Sequence, residues 1–540
     1  MKKYVSLVLF SLLSWAVCAK DFPKVILAGD YPDPTILRDG KDYYMTHSPF
    51  YYAPGFLIWH SQDLEHWEPV CRAMAQWEGP DLVKYNNRYY IYYPAAGTNW
   101  VIWADNIRGP WSAPKDLKVN GIDPGHVADA DGKRYLYLSE GKVVQLSDDG
   151  LSTVGEVKKV YDGWPYPRNW RTEGMYLESP KLNYHNGYYY LTSAEGGTAG
   201  PGTSHMVVTA RSKSVLGPWE NSPFNPLVHT YSERESWWSR GHGTLIDDVN
   251  GNWWVVYHAY AKGYHTLGRQ TLIEPIEWTP DGWCRAKSAG TLPKAEAPIR
   301  HGLELSDDFQ GAKLGLQWTF WKEYAPKAVS IENRTLRLKA KGNTPADGRL
   351  LLATAEDKNY ETQVEVTVGK NNTAGLLLYY SEKAYAGLVS DGKTFTVYRH
   401  AGQKTEMPNT LGRQFTVRIK NQGNHVSISV GKDGKEWTTL AEGIDVSGMH
   451  HNAYKGFYAL RIGLVSIGKG EAAFRRFRYK NAVPQEKDLS AYLMVFHKDE
   501  THGLYMALSR DGYTFTALND GEPVLFGGLV FGVQQLEHAG

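Results

Sequence analysis

Cysteine is scarce in this sequence, which contains three in 540 residues. This number is too small for a disulfide-rich scaffold, and no spacing of cysteine and histidine matches a zinc site. Cys71 and Cys284 are the two that lie far from the N-terminus. The sequence leaves open whether they form one disulfide.

Charge of one sign does not dominate either. Lysine and arginine number 59, aspartate and glutamate number 58, and the formal net charge is +1. No block of basic residues occurs, so the sequence lacks the electrostatic footprint of a nucleic-acid-binding protein. We therefore expect no nucleic-acid partner.

The sequence also lacks a hydrophobic run long enough to span a membrane. The longest apolar stretch, positions 4–17, follows two lysines and precedes small residues that end at Ala19. This order is typical of a secretory signal peptide. We predict a signal peptide at residues 1–19 and export to the periplasm or the exterior. A lipid anchor on Cys18 is the second interpretation, because the residues before it are bulky for that processing.

Aromatic residues, by contrast, are abundant: the chain has 19 tryptophans and 36 tyrosines. Such residues favour β-strands, and they are also the side chains that stack on sugar rings. No convincing amphipathic helix of more than about ten residues occurs between Asp21 and Pro298. The composition and patterning predict an all-β protein.

One pattern occurs five times: a polar or charged residue near a proline or glycine, then a short turn, and then an aromatic strand. The copies start at Asp33, Glu78, Asp123, Glu178 and His242. Repeats of roughly 45–65 residues with several short strands each are typical of propeller blades. We therefore predict a five-bladed β-propeller over residues 22–298, in which the five leading residues converge on one axial funnel.

The pattern changes after the propeller. Residues 303–480 contain many short alternating strands, which predict a β-sandwich. A linker follows, and residues 489–540 repeat the spacing of a blade opening. They are too few for a second propeller, so we interpret them as an incomplete blade-like segment.

Three of the converging residues are acids. Hydrolysis of a glycosidic bond requires one carboxylic acid to protonate the leaving oxygen and one carboxylate to activate water or attack the sugar. A third acid raises the pKa of the first through charge repulsion. Asp33, Asp123 and Glu178 are the candidates for these roles, and capping of turns is the structural alternative for each.

The first of these acids lies in "YPDP", followed by Ile36, Arg38 and a tyrosine pair. This motif and three later ones, in the same order, resemble glycoside hydrolase family 43. The resemblance implies that Asp33 is the general base, that Asp123 tunes the acid and orients substrate, and that Glu178 is the general acid. It also implies a five-bladed propeller and an inverting, exo-acting enzyme that releases xylose or arabinose.

Two further residues follow from the resemblance. Arg269, in "GRQTLIEPIEW", matches an arginine that reaches the sugar, and His242, in "GHGTLIDD", matches an axial histidine that holds a water or a hydrated cation. The chemistry therefore requires no cofactor, although an axial calcium or sodium ion is compatible with it. The segment "SDDFQGAKLGLQWTFW" resembles the start of the concanavalin-like domain of family β-xylosidases.

Several alternatives stay open at this stage. Glu78 copies the acid motif and is assigned, with Trp77, to substrate binding, whereas Glu173 is a second rival to Glu178. For Trp77, Trp164 and Trp170, core packing and sugar stacking are both consistent with the sequence.

The function has alternatives too. A galactan-active hydrolase of the same family and a non-catalytic carbohydrate-binding propeller are the runner-up functions. The Asn-Asp-Pro-Asn and Arg-Asp-Pro motifs of fructan-cleaving propellers do not occur.

Overall fold

The computed structural model describes residues 22–74, 79–287, 298–482, 492–498, 501, 503–509 and 514–524. The predicted signal peptide, Trp77 and Glu78 lie outside the described residues. The chain divides into two compact units, the first ending at Ala482 and the second beginning at Val483.

The first unit begins with five antiparallel sheets of four or five strands, which are the blades of a β-propeller. Blade 1 contains Thr35–Asp39, Asp42–Thr46, Gly55–Ser61 and Glu68–Met74. Blade 2 contains Asp81–Tyr85, Arg88–Ala95, Thr98–Ala104 and Lys115–Asp116. Blade 3 contains Gly125–Ala128, Arg134–Leu138, Lys142–Leu146 and Thr153–Lys159. Blade 4 contains Glu178–His185, Tyr188–Glu195, Met206–Ser212, Glu220–Asn221 and Val228–His229.

Blade 5 contains strands from both ends of the propeller sequence, and their pairing closes the ring of blades. It contains Trp237–Asp247, Trp253–Ala261, Gln270–Trp278, Cys284–Ala286 and the N-terminal strand Lys24–Leu27. The N-terminal strand pairs antiparallel with Gln270–Trp278, Lys24 lying opposite Ile273. Residues from the start of the propeller therefore lie beside residues from its last blade, which is what brings Asp33 close to Arg269.

The aromatic alternation of the strands follows from blade stacking. In the second strand of blade 2, Tyr89, Ile91 and Tyr93 pack in a cluster with side chains of blade 1. Tyr90 and Tyr92, on the opposite face, pack in a cluster with side chains of blade 3. Successive side chains of a strand point to opposite faces, so a blade between two neighbours is apolar on both.

The sandwich consists of two antiparallel sheets that enclose one large core. The first has the order Gln403–Pro408, Thr394–His400, Ala384–Ser390, Asn372–Ser381, Arg461–Gly468, Arg349–Ala353, Thr319–Trp321 and Tyr52–Ala53. The second has the order Val329–Glu332, Thr335–Lys339, Glu471–Asn481, Asn359–Thr367, Gln414–Gln422, His425–Gly431 and Thr438–Asp445. The edge strand Tyr52–Ala53 comes from a loop of blade 1, so the propeller and the sandwich share a sheet. The prediction of an all-β propeller followed by a sandwich is confirmed.

Helices are short throughout the described residues. One α-helical turn spans His451–Tyr454, and 3-10 turns span Ser139–Gly141, His265–Leu267, Pro326–Ala328 and Asn519–Gly521. None of the helices described is long and apolar enough to cross a membrane.

The second unit contains a three-stranded antiparallel sheet, made of Tyr492–Lys498, Gly503–Ser509 and Thr516–Ala517. Its interpretation as an incomplete blade stays a prediction.

The structure answers the question of the two later cysteines. Cys71 is half-buried on the outer strand of blade 1, and Cys284 is buried in blade 5. Both are free thiols, so no disulfide joins them.

Candidate active site

Each of the five blades has one residue in or just before its innermost strand with the same left-handed backbone conformation. Positive φ angles between 52° and 57° occur at Asp33, Gly79, Asp123, Ser179 and His242. Few residues other than glycine adopt this conformation, so it marks the equivalent position of each repeat. The sequence comparison of the five repeats started two of the copies at Glu78 and Glu178. In blades 2 and 4 these starts are one residue before the left-handed position, which Gly79 and Ser179 occupy. Glu178 enters the site from the residue before the shared position.

The structure brings the described site candidates to one cavity of about 350 Å³. Its lining includes Asp33, Asp123, Glu178, His242 and Arg269, which come from four blades. Gly79 of blade 2 lines it as well, whereas the two substrate-binding candidates just before Gly79 are not described. The convergence expected from the repeat is therefore present for every candidate that the structure describes.

Asp33 is surrounded by nitrogen donors. Arg269 donates to its two carboxylate oxygens, from Nη1 at 2.7 Å and from Nη2 at 3.4 Å, and the Nδ1 atom of His242 lies 3.3 Å from Oδ1. The backbone N–H of Asp33 donates to Nδ1 of His258 at 3.1 Å, which fixes the turn. Burial alone would raise the pKa of Asp33, but Arg269 and the two imidazoles outweigh it and hold that pKa well below its usual range. Asp33 is therefore ionised.

Asp123 and Glu178 have the opposite electrostatic environment. Burial first, and then the charge of Asp33, raise the pKa of Asp123 to about 7, against the nearby Lys181 and a hydrogen bond from the Ser179 N–H at 3.2 Å. Burial and the charges of Asp123 and Asp33 raise the pKa of Glu178 well above its usual range. Because the two acids interact, they titrate as a pair, and burial and mutual repulsion raise the pKa of both carboxyl groups.

A buried ion pair lies beneath these acids and was not identified from the sequence. Lys181 Nζ donates to Asp81 Oδ1 at 2.9 Å and to the carbonyl oxygens of Pro124 and Pro80 at 3.0 and 3.3 Å. Thr35 donates to the same Asp81 oxygen at 3.2 Å. These bonds tie the strand starts of blades 1 to 4 together. The only sequence signal was a lysine directly after the Ser-Pro pair at the start of a strand.

The sandwich contributes a wall of the cavity, which the sequence did not predict. The guanidinium of Arg269 packs beside a pair of phenylalanine rings, 5.3 Å from the centre of Phe50 and 5.0 Å from that of Phe457 in the sandwich, and the two ring centres are 6.1 Å apart. Next to it, Arg461 of the sandwich donates to the buried Asp30 at 3.1 Å. The sandwich therefore contacts the propeller at Arg269 and Asp30, through Phe457 and Arg461.

Of the remaining candidates, Glu173 lines the cavity, whereas Trp164 and Trp170 are not among its described lining residues. Glu173 is exposed, and its Oε2 atom accepts a hydrogen bond from the Ala199 N–H at 2.8 Å, whereas Glu178 is half-buried, which favours Glu178 as the acid. Trp170 stacks on His229 with ring centres 4.4 Å apart and an angle of 3°, and Trp164 meets it edge-on at 6.0 Å. Both tryptophans therefore pack against protein rings.

Asp33, His242 and His258 form the cluster of potential metal ligands among the described residues, with donor atoms within 4.8 Å of one another. The arrangement does not fit direct binding of a cation by all three. Arg269 already occupies the Asp33 carboxylate, and the Asp33 N–H occupies His258 Nδ1. An ion in this region would have to bind through His242 and water.

Known proteins are similar to this chain over both of its large domains. The model of glycosyl hydrolases family 43 matches residues 22–284, and the model of the β-xylosidase C-terminal concanavalin A-like domain matches residues 306–480. A non-reducing end α-L-arabinofuranosidase of Bacteroides ovatus is 30% identical over 87% of this chain and 97% of its own. A xylan 1,3-β-xylosidase of a Vibrio species is 30% identical over 67% of this chain and 77% of its own.

Solved structures are similar as well. The GH43 BlXynB protein of Bacillus licheniformis superimposes with a TM-score of 0.75 at 26% identity, covering 85% of this chain and 100% of that one. A xylan β-1,4-xylosidase of Bacillus halodurans gives a TM-score of 0.74 at 27% identity, covering 84% and 99%. The two matched domains and the identity over almost the whole of a curated relative show that this chain is a glycosidase that belongs to glycosyl hydrolases family 43.

Proposed function

We propose that this glycosidase is an inverting, exo-acting enzyme that releases xylose or arabinose from fragments of plant polysaccharide. The observation that carries the proposal is that one cavity holds two acids whose pKa values are shifted in opposite directions, Asp33 by its contact with Arg269 and Glu178 by burial and neighbouring acids. Asp33 is held ionised, as a general base requires, and Glu178 is held protonated, as a general acid requires. Asp123 supports the acid by repelling its ionised form.

In the proposed reaction, Asp33 removes a proton from a water molecule that attacks the anomeric carbon. Glu178 donates its proton to the oxygen that leaves. Inverting enzymes hold such a pair about 6.5–9.5 Å apart, so that a water fits beside the sugar. Arg269, whose guanidinium packs beside a pair of phenylalanine rings, donates hydrogen bonds to the sugar as well as to Asp33.

The exo action is supported by the shape of the site. Its volume of about 350 Å³ suits a small sugar unit rather than an extended chain, and Phe50 and Phe457 flank it on one side. The named activities of the relatives support pentoses, since one acts as an α-L-arabinofuranosidase and another as a β-xylosidase.

A substrate panel tests the proposal. We expect turnover of p-nitrophenyl β-xyloside or α-L-arabinofuranoside, and release of single sugars from the ends of oligosaccharides. Proton NMR should show a first-formed sugar of inverted configuration. Asp33→Ala should abolish turnover while calorimetry still detects sugar binding. A product that retains the substrate's configuration would refute the base role of Asp33.

The same panel separates the alternatives. Cleavage of the galactoside alone would support a galactan-active enzyme, and sugar binding without any turnover would support a binding propeller. Export is part of the proposal and follows from the predicted signal peptide at residues 1–19. N-terminal sequencing of the protein recovered from outside the cytoplasm should start after Ala19.

A further inference from the structure

Tyr176 is an exposed aromatic residue at the mouth of the catalytic cavity. It lies two residues before Glu178, lines the same cavity, and is 54% exposed. Trp170 packs against other aromatic rings of the protein. Tyr176 differs, because no aromatic ring of the described residues contacts it. Its hydroxyl likewise has no hydrogen-bond partner within the described part of the chain. An aromatic face is therefore available to a ligand beside the general acid.

The segment before Tyr176 is held firmly despite this exposure. The N–H groups of Glu173 and Gly174 donate to the Gly196 carbonyl at 3.0 and 3.3 Å, and the Gly196 N–H donates to the Met175 carbonyl at 2.9 Å. These three bonds attach the loop to the end of a strand of blade 4. The backbone that carries the Tyr176 ring is therefore held in place by hydrogen bonds to blade 4.

Two glycines, Gly174 and Gly197, leave the space that the Tyr176 ring occupies. A Cβ atom on Gly174 would lie 2.6 Å from Cε2 of Tyr176, and one on Gly197 would lie 2.8 Å from Cδ2. Any larger side chain at either position would displace the ring. Tyr176 itself has a φ of 40°, in the left-handed region, which turns the backbone there.

A polar group completes the surface. The Oε2 atom of Glu173 is bonded to the Ala199 N–H, and no bond to Oε1 is found within the described residues. Glu173 is also near enough to Glu178 for its charge to raise the pKa of that acid. An aromatic face with a carboxylate beside it matches a sugar ring, whose C–H face stacks while its hydroxyls donate hydrogen bonds.

The role of the general acid indicates which sugar of the substrate binds beside Tyr176. A general acid donates its proton to the leaving oxygen, so the group beyond that oxygen must lie next to Glu178. We propose that Tyr176 and Glu173 form the subsite for the leaving sugar, with the tyrosine ring as the stacking surface and the glutamate as the hydroxyl acceptor. This inference rests on the proposed function and names the place where the penultimate sugar of the substrate binds.

The test compares two substrates that differ only in the leaving group. A pentose disaccharide fills the subsite, whereas the glycosyl fluoride of the same pentose leaves it empty. For Tyr176→Ala we expect kcat/KM on the disaccharide to fall about 10-fold and kcat/KM on the fluoride to stay within about twofold. Tyr176→Phe, which keeps the ring, should retain wild-type activity on both substrates.

A matched control is Tyr184→Ala, which removes another exposed tyrosine, 63% accessible, at the opposite end of the first strand of blade 4. It should change neither reaction. Thermal unfolding of each variant verifies that it is folded. An equal loss on both substrates, no loss on the disaccharide, or a loss in Tyr176→Phe as large as in Tyr176→Ala would each overturn the proposal. Wild-type protein that cleaves neither substrate would overturn the proposed function itself, and this inference with it.

Discussion

Replacing Arg269 by methionine tests how the protein keeps Asp33 ionised. The guanidinium donates to the carboxylate at 2.7 Å and carries the principal positive charge at that site. Without it, burial remains as the dominant influence on Asp33 and favours the neutral form. An arginine at this range lowers the pKa of an aspartate by about 1–3 units, so the substitution should raise the pKa of Asp33 by that amount.

The sign of the effect on activity follows directly. The base works only when it is ionised, so a higher pKa leaves it protonated over a wider acidic range. The acidic limb of the kcat/KM profile should therefore move to higher pH by about 1–3 units, with about a tenfold loss for each unit at a pH below the limb. Arg269→Lys, which keeps the charge and loses the forked geometry, should shift the limb less.

The assay is kcat/KM for an activated aryl glycoside across the pH range in which the variant is folded by circular dichroism. Arg38→Met is the control, because Arg38 pairs with Asp247 at the surface of the propeller, away from the cavity. It should leave the profile unchanged. A uniform loss at every pH in Arg269→Met, with the acidic limb in its original place, would show that Arg269 only binds the sugar.

Three further predictions concern the surroundings of the acids. Asp123→Asn removes a charge that raises the pKa of Glu178, so the alkaline limb of the same pH profile should move to lower pH by about 1 unit; an unmoved limb would contradict the role of Asp123. Lys181→Met leaves Asp81 buried without its partner and should lower the free energy of unfolding by about 3–5 kcal/mol in urea titrations, whereas the double variant Lys181→Met, Asp81→Leu should recover most of that loss. A chelator should at most reduce activity through an ion held by His242 and water, and should leave the far-ultraviolet circular dichroism unchanged; unfolding in the chelator would reveal a structural metal.

Much of the fold follows from local sequence features. The segment "YYIYYP" is recognisable as a strand from its sequence, and the structure packs its two faces against blades 1 and 3. Turn residues and strand periodicity act over a few neighbouring positions, so they can be recognised without knowing what packs against them. The five-fold repeat then predicts a ring, and a ring predicts that its strand starts converge.

The alignment of the repeats was less accurate, because sequence similarity does not record backbone conformation. Glu178 resembles Asp33 and Asp123 as an acid near a proline, but Ser179 is the residue that shares their left-handed φ. Only the three-dimensional structure shows which of Glu178 and Ser179 occupies the equivalent position. The distinction matters because a shift of one residue is enough to change the direction of a side chain.

The sequence by itself determined which acids the site contains, whereas only the tertiary structure decided their charge. Whether a carboxyl group is ionised depends on burial and on the charges that surround it. Asp33 acquires Arg269 only when the propeller closes, and the sandwich then covers that arginine with Phe457. Glu178 acquires its proton from burial and from the repulsion of Asp123, a neighbour contributed by another blade. These contacts join residues distant in the chain, so no local pattern could have revealed them.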